Sequence, residues 1–401
     1  MKGRAVYIRG VGAITPLGES WSQSVVALAN GRSAIGPVTV FDTTGFPCTV
    51  AAQITAAFED SKDRRLSLAR RAAREAWKMA GLSVESRRLG VFIGAESGRA
   101  TFQTIKALSV AAGGQSHFDY ASFGVNARPL ASRIDPFGVS PASVASVLAK
   151  EFHAHGPAQT VSLACASGAV AIAEAARAIR QGVCDVALCG GVGADVDPLM
   201  LVGFGRISAL SVRGISCPFD VRRDGFVVGE GAAFIVLSAE RGGAEVELAG
   251  EGRSLDAYHL TAPDPLGKGA ERAMRAALLA SGGAQVDYVQ AHGTSTPLND
   301  TVESQAIGRV LGEGLARAHV SSVKGALGHW IAGAGALGFL CGYEAIHSGT
   351  VFPTAGLAQP DSKCALPHVV GKALHKRVDV AMVNAFAFGG ANCSLVLRRC
   401  A

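Results

Sequence analysis

The feature that most constrains the fold is residues 160–182, where an apolar strand runs almost directly into a helix. Residues 160–163 have the character of a buried strand, and from Ala169 onward apolar residues recur three and four apart, as on a buried helix. Only the small residues 164–168 remain for the turn. This unit predicts an α/β protein with closely packed layers, and it places Cys165 at or beside the helix N-terminus.

A cysteine at this position is expected to be reactive. The positive end of the helix dipole and the free backbone N–H groups both favour a thiolate over a thiol. Cys165 is therefore predicted to be a nucleophile. The alternative for a single cysteine is a buried structural residue, so the interpretation depends on which groups accompany it.

Composition excludes several classes of protein. Of the 401 residues 49% are apolar and only 6% aromatic, which predicts a core of small side chains in a multilayer α/β protein. The net charge of +6 comes without a basic run interleaved with aromatics, so nucleic acid is not an expected partner. The nine cysteines are scattered without metal-ligand spacing, which predicts a reduced, cytoplasmic protein without a metal. No apolar run has the length of a signal peptide or a membrane span, so we expect a soluble protein.

The second half of the sequence repeats the order of elements in the first. Strands at 246–250 and 286–291, the strand and helix in 319–349, and the strand at 378–383 correspond to elements before residue 245. We predict two similar halves, 1–245 with the nucleophilic cysteine and 246–401 with two catalytic histidines. Corresponding turns then lie at one edge of the molecule, where Cys165, His292, His329 and the loop around Phe388 converge.

Five motifs occur in order along the chain: ACASG at Cys165, PFDVRRDGFVVGEGA at 218–232, AHGTSTPLND at His292, VSSVKGALGH with Lys324 and His329, and FAFGGAN at 386–392. Over essentially its whole length the chain resembles the β-ketoacyl-acyl carrier protein synthases of the elongating (synthase II) type and the ketosynthases of type II polyketide assembly. The resemblance implies the thiolase fold, a five-layered α/β/α/β/α arrangement of two similar halves. It also implies an acyltransferase that requires no cofactor or metal.

The resemblance further implies roles for individual residues. Cys165 accepts an acyl chain, and His292 and His329 donate hydrogen bonds from Nε2 to the enolate formed when malonyl-acyl carrier protein loses CO₂. The enolate then attacks the acyl group, giving 3-oxoacyl-acyl carrier protein. Lys324 pairs with a glutamate, here Glu303, and adjusts the electrostatic field around the histidines.

A second group of residues is implied to control access. The backbone N–H groups of Cys165 and Phe388 form the oxyanion hole, and Phe386, Phe388 and Gly389 belong to a loop that opens for the acyl chain. Thr294 and Thr296 are implied to bind the pantetheine arm of the carrier.

The expected partner is an acidic acyl carrier protein, in its acyl- and malonyl-loaded forms. Lys62, Arg64 and Arg65 are predicted to bind it from the basic face of a helix at 62–80. The chain departs from its relatives at Ala387, where they usually have glycine, and at Ser208, where they commonly have arginine.

Three functions are consistent with the motifs. The leading hypothesis is fatty-acid chain elongation by a homodimer. The second is a ketosynthase of a type II polyketide or polyene pathway, paired with a chain-length-factor-like subunit. The third, a non-catalytic chain-length factor, is disfavoured because such proteins replace the nucleophile that Cys165 retains.

Overall fold

The computed structural model describes residues 4–56, 63–113 and 117–401. Ten strands form the main sheet, in the order β10-β9-β13-β14-β8-β1-β7-β6-β4-β5, and two small two-stranded sheets pair β2 with β3 and β11 with β12. The strands are β1 (Tyr7–Ile14), β2 (Ile35–Pro37), β3 (Val50–Ala52), β4 (Leu89–Gly94), β5 (Ala158–Val161), β6 (Val186–Ala194), β7 (Glu230–Ser238), β8 (Val246–Leu255), β9 (Tyr288–Gln290), β10 (His319–Ser321), β11 (Thr350–Val351), β12 (Leu374–His375), β13 (Val380–Phe386) and β14 (Ala391–Arg399).

Helices connect these strands and cover the sheet. Several short 3₁₀ turns lie between them. The α-helices are α1 (Trp21–Ala29), α2 (Arg64–Ala80), α3 (Phe102–Ala111), α4 (Tyr120–Asn126), α5 (Pro136–Val139), α6 (Ser143–Glu151), α7 (Ser167–Arg180), α8 (Pro198–Arg206), α9 (Lys268–Ala280), α10 (Pro297–Leu311), α11 (Lys324–Leu327) and α12 (Ala334–His347).

The main sheet consists of two halves with the same strand arrangement. In β1-β7-β6-β4-β5 the first two pairings are antiparallel and the last two parallel. The series β8-β14-β13-β9-β10 has the same pairings in the same order. One residue pair, Tyr7 with Glu247, joins the two halves. Corresponding turns therefore lie at equivalent places in the two halves.

Three apolar clusters pack the helical layers against the strands. One packs α2 and α6 on the first half-sheet, and another packs α9 and α10 on the second. The third lies in the middle, where α7 and α12 are enclosed by strands of both halves. The expected five-layered α/β/α/β/α arrangement is confirmed.

The two central helices approach each other closely. A Cβ added to Gly168 would lie 2.9 Å from the Ala332 carbonyl oxygen, and one added to Gly335 would lie 2.7 Å from the Ala169 nitrogen. Such distances are far below a normal packing contact, so only glycine fits at both positions. The N-terminus of α7, just after Cys165, is thereby held against the segment that leads into α12.

Helix α2 forms nearly where the sequence predicted a helix at 62–80. Asp63 caps its first turn by accepting a hydrogen bond from the Arg65 N–H, and Gly81 ends it in a left-handed conformation at φ +58°. Residues 117–140 contain only short helices and turns. Within the described residues, none of the helices has the length and apolar character needed to cross a membrane.

Candidate active site

Cys165 lies in the tight turn between β5 and α7, so the predicted strand–turn–helix unit is confirmed. Ala164, the residue before it, has a positive φ of +44°, which is rare for a residue with a side chain. The Ser167 hydroxyl supports this turn, because its Oγ accepts from the Leu163 N–H at 2.8 Å and donates to the Ala164 carbonyl at 2.6 Å. The strained turn brings the thiol to the wall of an internal cavity.

The structure brings both predicted histidines to this thiol. His292 follows β9, and His329 follows α11. The Nε2 atom of His329 lies 3.1 Å from Cys165 Sγ, and the centroids of the two imidazole rings are 5.5 Å apart. All three side chains are buried. The cysteine and the two histidines therefore form one constellation, although Cys165 lies more than a hundred residues before either histidine in the sequence.

Hydrogen bonds at Nδ1 define which nitrogen of each ring carries the proton. The Ile331 N–H donates to Nδ1 of His329 at 3.2 Å, and the Lys324 ammonium lies 3.4 Å from Nδ1 of His292. An Nδ1 that accepts leaves the proton of a neutral imidazole on Nε2. Burial lowers the pKa of both histidines well below the ordinary value, which keeps the rings neutral. Both rings thus offer an Nε2–H donor.

The electrostatics of Cys165 differ from the expectation for a helix N-terminus. Burial raises the pKa of its thiol to about 12, although the charge of Lys324 and the backbone N–H of Phe388 act in the opposite direction. The expected lowering of this pKa is wrong, because desolvation of the buried thiol outweighs these two favourable contributions. His329 is no general base here, since its Nε2 carries a proton.

Lys324 and Glu303 hold the turn at His292 through hydrogen bonds to its backbone. The Lys324 ammonium donates to the His292 carbonyl oxygen, while Glu303 accepts the N–H groups of His292 and Gly293, each at 2.7 Å. Burial lowers the pKa of Lys324 to about 8 and raises that of Glu303 to about 7. The hydrogen bonds of Lys324 are thus made to His292. Glu303, the expected partner, favours the charged form of Lys324 through its electrostatic field.

The sequence interpretation missed Asp300, which shapes the loop after His292. This fully buried carboxylate accepts the N–H groups of Thr294 at 2.9 Å and Ser295 at 3.1 Å. Ser295 adopts a positive φ of +68°, so the loop needs such support. The Thr294 and Thr296 hydroxyls lie 2.9 Å apart. The available signal was an acidic residue in the first turn of a helix that begins with proline.

The loop of residues 386–389, here called the access loop, lines one side of the internal cavity beside Cys165. Phe386 is buried, and Gly389 has a left-handed φ of +83° that favours glycine. Ala387 is extended, with φ −128°, so it carries no strain in this conformation. The Gly389 N–H donates to the Leu260 carbonyl at 2.7 Å, which fixes the loop against the segment after β8.

A cavity of about 340 Å³ connects these groups. It extends from the cysteine and the two histidines past the threonines after His292 to surface residues at the end of α8 and the start of α10. Its lining includes Cys165, His292, His329, Thr294, Thr296 and Phe388.

One thiol and two imidazoles in contact are also a possible set of metal ligands, since their donor atoms lie within 4.8 Å of one another. A metal would need the lone pair of each Nε2, which requires the ring proton to move to Nδ1. The Ile331 N–H and the Lys324 ammonium occupy those Nδ1 positions. The hydrogen bonds therefore favour an oxygen acceptor over a metal ion.

The two predicted carrier-docking residues that the structure describes, Arg64 and Arg65, do not form an exposed basic surface. Arg65 is buried and donates to Asp63, Gly138 and Ser143, so its assignment to docking is wrong. The partly exposed Arg64 is held by Glu230 at 2.6 Å. Lys62 lies outside the described residues.

Comparison with known proteins identifies the family. Residues 3–241 match the N-terminal domain of β-ketoacyl synthase, and residues 246–358 match its C-terminal domain. The chain belongs to the β-ketoacyl synthase family. It is similar to 3-oxoacyl-[acyl-carrier-protein] synthase 2 of Coxiella burnetii, at 35% identity over 100% of this chain and 99% of the relative. The same enzyme of Synechocystis is 36% identical over 99% of this chain and 98% of the relative.

Solved structures of other ketosynthases have the same fold. The ishigamide ketosynthase/chain length factor matches with a TM-score of 0.87 and 33% identity, covering 100% of both chains. The type II polyketide ketosynthase AntDE, in complex with its acyl-carrier protein AntF, matches with a TM-score of 0.87 and 27% identity, also covering 100% of both chains. The family assignment and the thiolase-like fold expected from the motifs are confirmed.

Replacing Cys165 with glutamine should separate the two functions of the site. We expect condensation to be abolished while malonyl decarboxylation persists or increases, because the two histidine donors remain in place. Release of CO₂ and formation of product are measured in parallel. In the unsubstituted chain, peptide mapping after treatment with cerulenin should find the adduct at Cys165. A main adduct at Cys184 or Cys393 would contradict the assignment.

The decrease of the decarboxylation rate at alkaline pH should depend on the charge of Lys324. Its pKa is lowered to about 8, so its charge is present below that pH and is lost as pH rises through it. In the Cys165→Gln variant, where the thiol no longer contributes, we expect the decarboxylation rate to fall between pH 7 and pH 10. A Lys324→Met variant should be slower throughout and lack this decrease. If the decrease persists in that variant, a different group is responsible.

Proposed function

We propose that this protein condenses an acyl group held on Cys165 with malonyl-acyl carrier protein, giving 3-oxoacyl-acyl carrier protein in fatty-acid chain elongation. The observation that supports this most directly is the pair of neutral imidazoles, both with Nε2–H directed to the cavity that holds the thiol. Two such donors suit a thioester oxygen that becomes negatively charged during the reaction. The names of the full-length relatives support the same activity.

The first step is acyl transfer. The Cys165 thiolate attacks the carrier thioester, and the carrier thiol leaves with a proton. The Phe388 N–H, which contacts the sulfur, stabilises the oxyanion together with the Cys165 N–H. Loss of one donor of this type commonly slows acyl transfer by about 10²–10³-fold. Because the thiol is buried and protonated at rest, deprotonation belongs to this step.

The second step begins with malonyl-acyl carrier protein. Its pantetheine arm lies along Thr294 and Thr296, and its thioester oxygen accepts the Nε2–H groups of His292 and His329. Loss of CO₂ leaves the bonding electron pair on the α-carbon, and the histidines stabilise the resulting enolate. The carbanion attacks the acyl carbonyl, and the bond to Cys165 breaks as its thiolate leaves.

A ketosynthase of type II polyketide or polyene synthesis is the second candidate. It is favoured by the similarity to the ishigamide ketosynthase/chain length factor, whose chain matches over its full length. The same catalytic groups serve both pathways, so the difference lies in the acyl chain that is accepted. A non-catalytic chain-length factor is disfavoured because Cys165, His292, His329 and Lys324 are all present and assembled.

The protein is proposed to act as a dimer, either of identical subunits or with a chain-length-factor-like subunit. Strand β5 is an edge strand of the main sheet, and large apolar side chains are exposed on segments before and after it in the sequence. Edge strands and exposed apolar side chains are features that proteins usually cover. The exposed apolar residues of these segments include Phe102, Val110, Phe118, Tyr120, Val125, Phe137 and Leu163.

We place this activity in the cytoplasm. All nine cysteines are free, and eight of them are buried. Unpaired thiols in this number are typical of a reducing compartment. An acyl carrier protein is the partner that this compartment must supply.

Reconstitution tests the proposed reaction. The purified protein is mixed with acyl- and malonyl-acyl carrier protein, and the products are identified by mass spectrometry. We expect 3-oxoacyl-acyl carrier protein two carbons longer than the acyl substrate, with one CO₂ released per product. Saturated acyl chains of several lengths are compared with 3-oxoacyl chains. Preference for the latter would favour the polyketide assignment, and product formation without Cys165 acylation would contradict the mechanism.

The carrier is proposed to dock at the cavity mouth instead of on α2. Ile207 and Leu298 line the cavity and are 48% and 60% exposed, and the exposed Arg206 adjoins them at the end of α8. Apolar residues beside a positive charge suit a carrier whose surface is acidic.

Charge reversal at Arg206 should weaken this docking. Because a rim charge contributes modestly to binding, we expect Arg206→Glu to raise KM for carrier-bound substrate on the order of fivefold. Reaction with small pantetheine thioesters should stay unchanged. Arg87→Glu is the matched control, since Arg87 is exposed before β4, at the opposite end of that strand from the site. Equal losses with both kinds of substrate would refute docking at this position.

A further inference from the structure

Glu96 is an acidic residue beside the nucleophile turn to which the proposed reaction assigns no role. It follows β4, and its carboxylate accepts the Ser162 hydroxyl at 3.0 Å. The second carboxylate oxygen lies 3.4 Å from the Ser167 hydroxyl, whose single proton is directed to the closer Ala164 carbonyl. The Arg65 guanidinium donates to the backbone oxygen of Glu96 and anchors its main chain. Glu96 thus links buried Arg65 to the start of the turn.

Within the described parts of the chain, the carboxylate of Glu96 has no cationic hydrogen-bond donor. It accepts the hydroxyl of Ser162, whereas the proton of Ser167 is directed to the Ala164 carbonyl. The neighbouring acid, Asp195, instead forms an ion pair with Arg99, with 2.8 Å between Nη2 of Arg99 and Oδ1 of Asp195. Both carboxylates act on Cys165 to raise its pKa, and Glu96 has the larger effect. The titratable or charged groups that face this thiol are Glu96, Asp195, Lys324, His292 and His329.

The internal repeat gives Glu96 the same position in its half that His292 has in the other. β4 pairs in parallel with β5 and β6, as β9 pairs with β10 and β13. One alanine separates each strand from the residue concerned. His292 contacts Lys324 in the turn after β10, and Glu96 contacts Ser162 in the turn after β5. In each half, a side chain that follows one strand therefore contacts the segment that follows the neighbouring parallel strand.

We propose that Glu96 is a positioning residue for Cys165, which holds the nucleophile turn through Ser162 and places a carboxylate beside the turn that carries the thiol. This proposal rests on Cys165 being the acyl acceptor. The opposing charge is Lys324, on the far side of the thiol. With Glu96 in place, the resting cysteine reacts slowly with small electrophiles.

Alkylation of Cys165 by iodoacetamide measures this effect without any carrier or acyl substrate. Removing a nearby negative charge in Glu96→Gln should increase the thiolate fraction at pH 7. Because half to one pKa unit is a typical effect of one neighbouring charge, we expect alkylation at Cys165 to be about threefold to tenfold faster. The rate is followed by quantitative peptide mapping as a function of pH, and its midpoint should move to lower pH.

Two variants separate the charge of Glu96 from its contact. Glu96→Asp keeps the charge but shortens the reach to Ser162, so its alkylation profile should match the unsubstituted chain. Acylation by acyl-acyl carrier protein should become slower in both Glu96→Asp and Ser162→Ala, with KM unchanged. A loss through KM instead would indicate a substrate contact and contradict the positioning role.

Glu19→Gln is the matched control for net charge. Glu19 is exposed and paired with Arg71, so its removal should leave the alkylation profile unchanged. An unshifted profile in Glu96→Gln would overturn the proposal. A shifted profile in a protein that forms no 3-oxoacyl product would instead retain the proposal and reject the proposed reaction. Thermal unfolding of each variant shows that it is folded.

Discussion

The structure depends on the close contact between the two central helices, where a glycine of each helix faces backbone atoms of the other segment. Gly168 in α7 meets Ala332, and Gly335 in α12 meets Ala169, at distances that exclude even a methyl group. This contact brings the N-terminal ends of the two central helices together, and with them Cys165 and His329. The distance of 3.1 Å between their side chains is therefore a result of backbone packing. The many small residues in the sequence make this approach possible.

Much of this arrangement could be predicted because it is local or repetitive. The turn at Cys165 was visible in the spacing of small and apolar residues, and the second half repeated the order of the first. The burial of Arg65 could also have been inferred, since Arg65, Ala69, Ala72 and Ala76 lie on one face of α2 and all are buried. The rest depends on neighbours distant in sequence. The thiol's pKa reflects desolvation by several segments, a quantity that no single motif contains.

The two halves use the same architecture for opposite electrostatic purposes. In the second half, the buried ammonium of Lys324 contacts Nδ1 of His292. In the first half, the equivalent turn carries the thiol, with an acidic residue at its side. Between them lies a cavity whose catalytic side chains are buried, so each charge there acts more strongly than it would at the surface. Divergence after duplication thus produced a polarised site from two similar frameworks.

The tautomer of His329 is determined by a main-chain group, the N–H of Ile331. Every amino acid except proline supplies that group, so the identity of the side chain at position 331 does not affect it. Such a feature is insensitive to most single substitutions and can persist while the surrounding cavity wall changes. A lineage can therefore acquire new acyl substrates by altering nearby side chains, while the proton that stabilises the enolate is inherited with the course of the backbone.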